Sequence, residues 1–301
     1  MVPLRHGFGR AGRLVTAAAL ALAGAVAGAA PLRVVALSPI LTELAREVGG
    51  PEVAVTGLLP LGVDPHTFEP APADMRALAD AELVLASGLG LEIYLDKLAA
   101  NSGTRARIAS VGDALRGQLV TVEVRGRREP DPHWWNSIAA TEQVTRQVAE
   151  ELARLRPASS ADFARRAAVR LGALDALDAW TRGQFAALPP GRRQLVTTHD
   201  AFGWFARDYG FTVHPIAGLS PDAEPNARAV AQLTDLIRQA KIPAVFIENA
   251  EGSRLAAAVA REAGAQLGGA LYGDGLVPGP EGDSYEAMFR HNVLTIAAAL
   301  R

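Results

Sequence analysis

One long helical run near the middle of this 301-residue chain limits its folding more than any other stretch. From Ala161 to about Leu188 there is no internal proline, and Gly172 and Gly183 are the only glycines. Phe163, Ala167, Leu171, Leu174, Leu177 and Trp180 recur at three- and four-residue steps, the spacing of an amphipathic helix. Ser159 or Ser160 can cap its start, with Asp162 in the first turn favouring the dipole. At 1.5 Å per residue the run is roughly 40 Å long, enough to lie along two packed units. Pro189-Pro190 ends it. A flexible hinge would be extended and rich in glycine, so this segment reads as a rigid connector.

On either side the pattern alternates between short apolar runs and helical periods. Leu32–Leu37, Val53–Leu59, Leu83–Ala86 and Arg107–Val111 read as strands. Pro39–Val48, Ala73–Ala79 and Leu91–Ala100 read as helices between them, and Leu119–Val124 as an extra strand before the basic turn Arg125–Arg128. Ile138–Leu155 is helical. After the connector come strands at Gln194–Thr198, Thr212–Ile216, Ala244–Glu248 and Ala270–Tyr272. Helices are expected at Ala201–Tyr209, Ala227–Ala240, Ser253–Ala263 and Asp283–Leu300. Such alternation predicts an α/β fold with mostly parallel sheets. The expected organisation is a βα lobe over 30–157, the connecting helix over 158–190 and a second βα lobe over 191–301. Ligands of such sheets bind in loops beyond the carboxyl ends of the strands.

The first 29 residues differ from the rest. Arg5, Arg10 and Arg13 precede an apolar core, Leu14–Ala23, and the small residues Ala27-Gly28-Ala29. This reads as a secretory signal peptide cut after Ala29, since cutting after Ala30 would leave Pro31 first. An uncleaved anchor is the alternative, but the apolar run is short for a span. A periplasmic location follows as an expectation. The sequence has no cysteine, which excludes disulfides and a lipidated cysteine and leaves His, Asp, Glu or Asn as metal ligands. A net charge of -2 gives no basic footprint for nucleic acid.

Four polar residues stand at predicted strand-to-loop boundaries. His66 ends Asp64-Pro65-His66, and His133 ends the same tripeptide in Asp131-Pro132-His133-Trp134-Trp135-Asn136. His199 closes Leu195-Val196-Thr197-Thr198-His199, and Asp274 lies in Tyr272-Gly273-Asp274-Gly275. Taken singly, each has an ordinary structural reading. Asp-Pro is a common turn dipeptide, a loop histidine usually faces solvent, Asp200 could cap the helix after it, and two adjacent tryptophans are by default packing residues. Together the four offer three nitrogens and a carboxylate, two from each lobe, a set that suits zinc in a cleft between lobes. His214 and His291 read as structural, and His6 lies in the leader.

At these residues the chain resembles the cluster A-I substrate-binding proteins of zinc and manganese ABC transporters. The resemblance is carried by Gly62-Val63-Asp64-Pro65-His66-Thr67-Phe68-Glu69-Pro70, Asp131-Pro132-His133-Trp134-Trp135, and Thr198-His199-Asp200-Ala201-Phe202 with Tyr209-Gly210-Phe211. Ala223-Glu224-Pro225 and Met288-Phe289-Arg290-His291-Asn292-Val293 extend it. It implies that His66, His133, His199 and Asp274 are the metal ligands and that the long helix is the family's rigid backbone. It also implies a monomeric periplasmic receptor, not an enzyme, that hands Zn(II) to a membrane permease driven by a cytoplasmic ATPase. Manganese is the alternative cargo, although members selective for it tend to carry Glu at the third position, where this chain has His199.

The chain departs from the family pattern in one place. Many zinc members carry a histidine- and acid-rich loop between the first two ligands. Here Ala114–Pro130 has no histidine and contains Arg116, Arg125, Arg127 and Arg128. Zinc would then arrive as the free ion or from a periplasmic metallochaperone. Two rival readings are a zinc hydrolase, with Glu69 as the base to check, and a receptor for an organic or chelated ligand, which would need Trp134 and Trp135 in the cleft.

Overall fold

The computed structural model describes residues 30–124, 126–219, 226–248 and 252–301. The leader, Arg125 of the basic stretch and Ala223-Glu224-Pro225 lie outside the described residues.

The protein is α/β with two lobes, each built on a parallel sheet. In the first lobe β1 (Leu32–Ala36) leads through α1 (Pro39–Gly49) to β2 (Val53–Gly57). Then come α2 (Pro72–Asp80), β3 (Leu83–Ala86), α3 (Leu95–Ser102) and β4 (Arg107–Ser110). The strand order is β2-β1-β3-β4. All four residues of β3 are buried, as expected of a central strand covered on both faces. Helix α1 starts where the sequence places it: Ser38 caps it, its side chain accepting from Leu41 N, and Pro39 supplies a fixed φ in the first turn.

A hairpin of β5 (Thr121–Val124) and β6 (Arg127–Pro130) follows, antiparallel, with Glu123 opposite Arg128. Arg127 and Arg128, expected in a turn, therefore lie in a strand. The alternating run before them needs a partner, and these residues supply it. After α4 (Ile138–Leu155), α5 (Ser160–Phe185) runs for 26 residues. Ser159 stands at its cap position without a side-chain cap bond, because a tight turn at Pro157–Ser159 already leads into the helix.

The second lobe contains β7 (Gln194–Thr197), α6 (Gly203–Tyr209), β8 (Thr212–Pro215), α7 (Ala227–Ala240), β9 (Ala244–Ile247), α8 (Ser253–Ala263), β10 (Gln266–Ala270) and α9 (Tyr285–Leu300), with strand order β10-β9-β7-β8. The last strand comes earlier than Ala270–Tyr272, because Gly268 and Gly269 disguise it in the sequence. A Cβ at Gly268 would meet the Phe246 ring at 2.5 Å, and Gly269 sits at φ +111 beside a register shift, so glycine is needed at both. The expected helix from Leu91 begins instead at Leu95. Gly88, Leu89 and Gly90 all have positive φ, and the Glu92 carboxylate folds back onto the N–H groups of Ser87 (2.6 Å) and Gly88 (3.0 Å). That holds the segment as a loop.

One apolar core runs through both lobes. It joins Val34 and Leu85 of the first sheet to Leu195 and Phe246 of the second, through Trp134, Trp135, Phe163, Leu174, Phe185, Trp204, Phe205 and Phe289. Helix α5 contributes Phe163, Ala167, Leu174, Leu177, Thr181 and Phe185 as its buried stripe and packs on α4, α1 and α9. Leu171 and Trp180 lie partly buried at its margin.

Candidate metal centre

Each of the four side chains leaves the fold just past a strand, where a loop is free to turn toward the other lobe. His66 follows β2, His133 follows β6, His199 follows β7 and Asp274 follows β10. Both Asp-Pro-His tripeptides make the same local turn. The aspartate two residues before the histidine accepts that histidine's backbone N–H, at 2.7 Å for Asp64 and His66 and 2.9 Å for Asp131 and His133. His199 is set by β9 instead. Glu248 Oε1 accepts from His199 N at 3.0 Å and from Thr198 Oγ1 at 2.9 Å.

These turns bring one ligand atom from each of the four residues to within 4.8 Å of one another. His66 Nε2 lies 3.0 Å from His133 Nε2. Asp274 Oδ1 lies 3.0 Å from His199 Nε2 and 3.6 Å from both His66 Nε2 and His133 Nε2. Tetrahedral zinc with bonds of 2.0–2.1 Å requires ligand atoms about 3.3 Å apart. The imidazoles of His133 and His199 are fully buried, whereas His66 and Asp274 keep 12% and 18% of their side-chain surface exposed. The cluster is therefore reached from the side of those two residues. A cavity of about 90 Å³ adjoins it there, lined in part by Asp64, Glu248, Tyr272 and Asp274.

Two carboxylates behind the cluster were not singled out from the sequence. Asp131 Oδ1 accepts from His133 Nδ1 at 2.7 Å, and Glu248 Oε2 lies 3.0 Å from His199 Nδ1. Asp131 fixes the His133 ring and directs its Nε2 at the cluster, the arrangement in which a histidine serves as a metal ligand, and Glu248 sets a negative charge beside the inner nitrogen of His199. The position of Asp131 two residues before His133 was a visible signal. Glu248 carried only its place at the end of a strand. Burial works against a charged His199, but Glu248 and Asp274 outweigh it and raise its pKa well above the ordinary histidine value. Burial likewise opposes ionisation of Asp274, yet His199, His66 and His133 hold it well below the usual carboxylate range. Asp200, next to His199, is pushed up to about 6 by burial and by the Asp131 carboxylate. It does not cap α6, whose cap position is Phe202.

The remaining candidates lie elsewhere. Trp134 and Trp135 are buried in the core. The Trp135 ring meets His133 edge-on at 5.4 Å between centroids, and its Nε1 donates to Gly273 O at 2.7 Å. Among the described residues, neither ring is part of the lining of the adjoining cavity, and no arginine lines it. Glu69 is exposed and outside the cluster. His214 bonds Gln194, and His291 stacks on Tyr272 and bonds Ala270 O.

The sequence pattern of the family described as "ZnuA: zinc-uptake complex component A, periplasmic" matches residues 34–299. The chain belongs to this family. It is 34% identical over 276 residues to the manganese-binding lipoprotein MntA of Bacillus subtilis (strain 168), covering 90% of each chain. It is also 34% identical over 284 residues to the zinc-binding protein TroA of Treponema pallidum (strain Nichols), covering 92% of this chain and 91% of that one. The solved structure of the periplasmic zinc-binding protein TroA from Treponema pallidum superposes with a TM-score of 0.82 at 32% identity, covering 90% of this chain and 99% of that one. ZnuA-family proteins are solute-binding receptors of ABC transporters and not enzymes, so this chain works with a membrane permease and its ATPase and binds a metal ion as cargo. Among the described residues, no helix is long and apolar enough to cross a membrane.

Proposed function

We propose that the protein is a periplasmic receptor that captures Zn(II) through His66, His133, His199 and Asp274 and delivers it to an ABC permease. The observation that carries this reading is the donor set itself: three imidazole nitrogens and one carboxylate oxygen within 4.8 Å of one another, with His66 to His133 and His199 to Asp274 both at 3.0 Å. Borderline-soft nitrogen donors in fours favour zinc, whereas manganese prefers more oxygen and a higher coordination number. Four protein ligands also close the coordination shell, leaving no open position for a catalytic water.

Manganese is the second reading. It is favoured by the likeness to the manganese-binding lipoprotein of Bacillus subtilis, as close in identity as that to the zinc-binding protein. Metal-free protein titrated with each ion against a competing chelator separates the two. The zinc reading expects zinc to bind orders of magnitude more tightly than manganese, and equal affinities or the reverse order would overturn it. The signal peptide and handover from a metallochaperone belong to the same reading. Sequencing the N-terminus of exported protein tests the first, since it should begin at Ala30.

A further inference from the structure

The turn carrying Asp274 is held at its backbone from three sides. Gly273 O, one residue before the ligand, accepts from Trp135 Nε1 at 2.7 Å and from Asn136 Nδ2 at 3.0 Å. Both donors are buried and lie two and three residues beyond His133. The same Asn136 amide donates to Ala201 O at 3.0 Å, two residues beyond His199. From α9, Asn292 brackets the preceding residue, accepting from Tyr272 N at 2.8 Å and donating to Tyr272 O at 3.0 Å. Gly273 also has no room for a side chain: a Cβ there would meet Glu248 Oε2 at 2.4 Å, the oxygen beside His199 Nδ1. The position of the fourth ligand is thus tied directly to the segments carrying the second and third.

We infer that the clamp of Trp135 and Asn136 on the Gly273 carbonyl is the specificity-determining element of the site, fixing Asp274 at the separation a small four-coordinate ion requires. The inference rests on the metal-site reading above. A ligand turn fixed by two buried donors resists the backbone shift that would widen the site to admit the further oxygen ligands that manganese favours. Loosening the clamp relaxes that restraint. Trp135 and Asn136 touch no ion in this scheme and act as positioning residues through Asp274.

The test uses Trp135→Phe and Asn136→Ala in the full mature chain, each removing one of the two donors. Zinc and manganese affinities are measured by chelator competition. Cobalt(II) is then bound in place of zinc, because its visible absorption is intense when four-coordinate and weak at higher coordination. The expected result is a zinc affinity lowered about 10–100-fold, as for other groups that orient metal ligands. Manganese affinity should be lowered less, so the zinc-to-manganese ratio contracts, and the cobalt band should lose intensity. Equal losses for both metals with an unchanged cobalt spectrum, or no loss, would overturn the inference. Asn136→Ala leaves the indole in place, so it decides the matter alone if Trp135→Phe does not fold by circular dichroism. A wild-type protein that binds none of these ions would sink the metal-site reading itself. A wild type that discriminates, with variants that discriminate equally well, would sink only the clamp.

Discussion

Asp131 holds His133 at two points, its Oδ1 accepting both the backbone N–H at 2.9 Å and ring Nδ1 at 2.7 Å. One carboxylate oxygen thereby fixes the turn and the tautomer of the buried imidazole together. Asp131→Ala is expected to lower zinc affinity about 10–100-fold with the fold retained. Asp131→Asn, which keeps an acceptor without the charge, should lose less. Isothermal calorimetry checks both, and unchanged affinity in the alanine variant would show that the ring needs no brace.

Proton release should accompany metal uptake. In the metal-free protein the raised pKa of His199 keeps its ring protonated above the ordinary histidine range, and a nitrogen must lose its proton to bind metal. Asp274 is already ionised and contributes no proton. Zinc affinity should therefore rise with pH until His199 titrates. The stability that charged His199 gives the metal-free fold runs the opposite way: it is fully present below the unfolded histidine pKa and lost as pH rises through the raised value. Titrations in buffers of different ionisation enthalpy should report about one proton released per ion at neutral pH. A value of zero contradicts the assignment.

Zinc should alter the intrinsic fluorescence, and Trp135 should carry the change, because its ring lies 5.4 Å from that of His133. Trp134→Phe should keep most of the response and Trp135→Phe should lose it. An unchanged wild-type emission spectrum on zinc addition would be inconsistent with the ion binding against His133.

The aromatic cluster where α5 meets α6 and α9 should dominate stability. Phe205 packs against Phe185, Tyr209, Phe211 and Phe289 with ring centroids 4.8–6.0 Å apart. Phe205→Ala is expected to cost about 3–5 kcal/mol, read from chemical denaturation. A loss under about 1 kcal/mol would mean that the neighbours close over the space.

Acid should weaken the join between β4 and α4. The bidentate bond from Arg107 to Glu151 lowers the Glu151 pKa below the usual carboxylate value. Its contribution is present above that value and lost as pH falls through the depressed one. Arg107→Ala should destabilise the protein at neutral pH and show less further loss on acidification than the wild type. Parallel stability curves for the two would refute the linkage.

The βα rhythm and the long helix were legible in the sequence because apolar periodicity reports directly on which face is buried. Ile138–Leu155, Ala227–Ala240 and Ser253–Ala263 are helices over the limits their patterns suggest. The pattern fails where backbone conformation, not side-chain burial, decides the structure. Gly268 and Gly269 hide β10, and the Glu92 carboxylate holds 88–94 out of a helix. At the site, the four side chains that come together all stood at strand ends. Glu248 and Asn136 did not stand out, because their role depends on contacts with residues 49 and 137 positions away, and spacing along the chain carries no trace of such pairs.

The apolar core shared by the two lobes has a consequence for how the molecule comes apart. Phe163, Trp204 and Phe289 belong to one continuous interior that covers one face of each sheet, while a smaller cluster lies on the other face of each, so opening that interior strips both sheets at once. Heat or denaturant should melt both sheets in a single cooperative transition. An ion bound among His66, His133, His199 and Asp274 then protects the whole chain at once, so that a receptor carrying cargo should outlast an empty one under added protease.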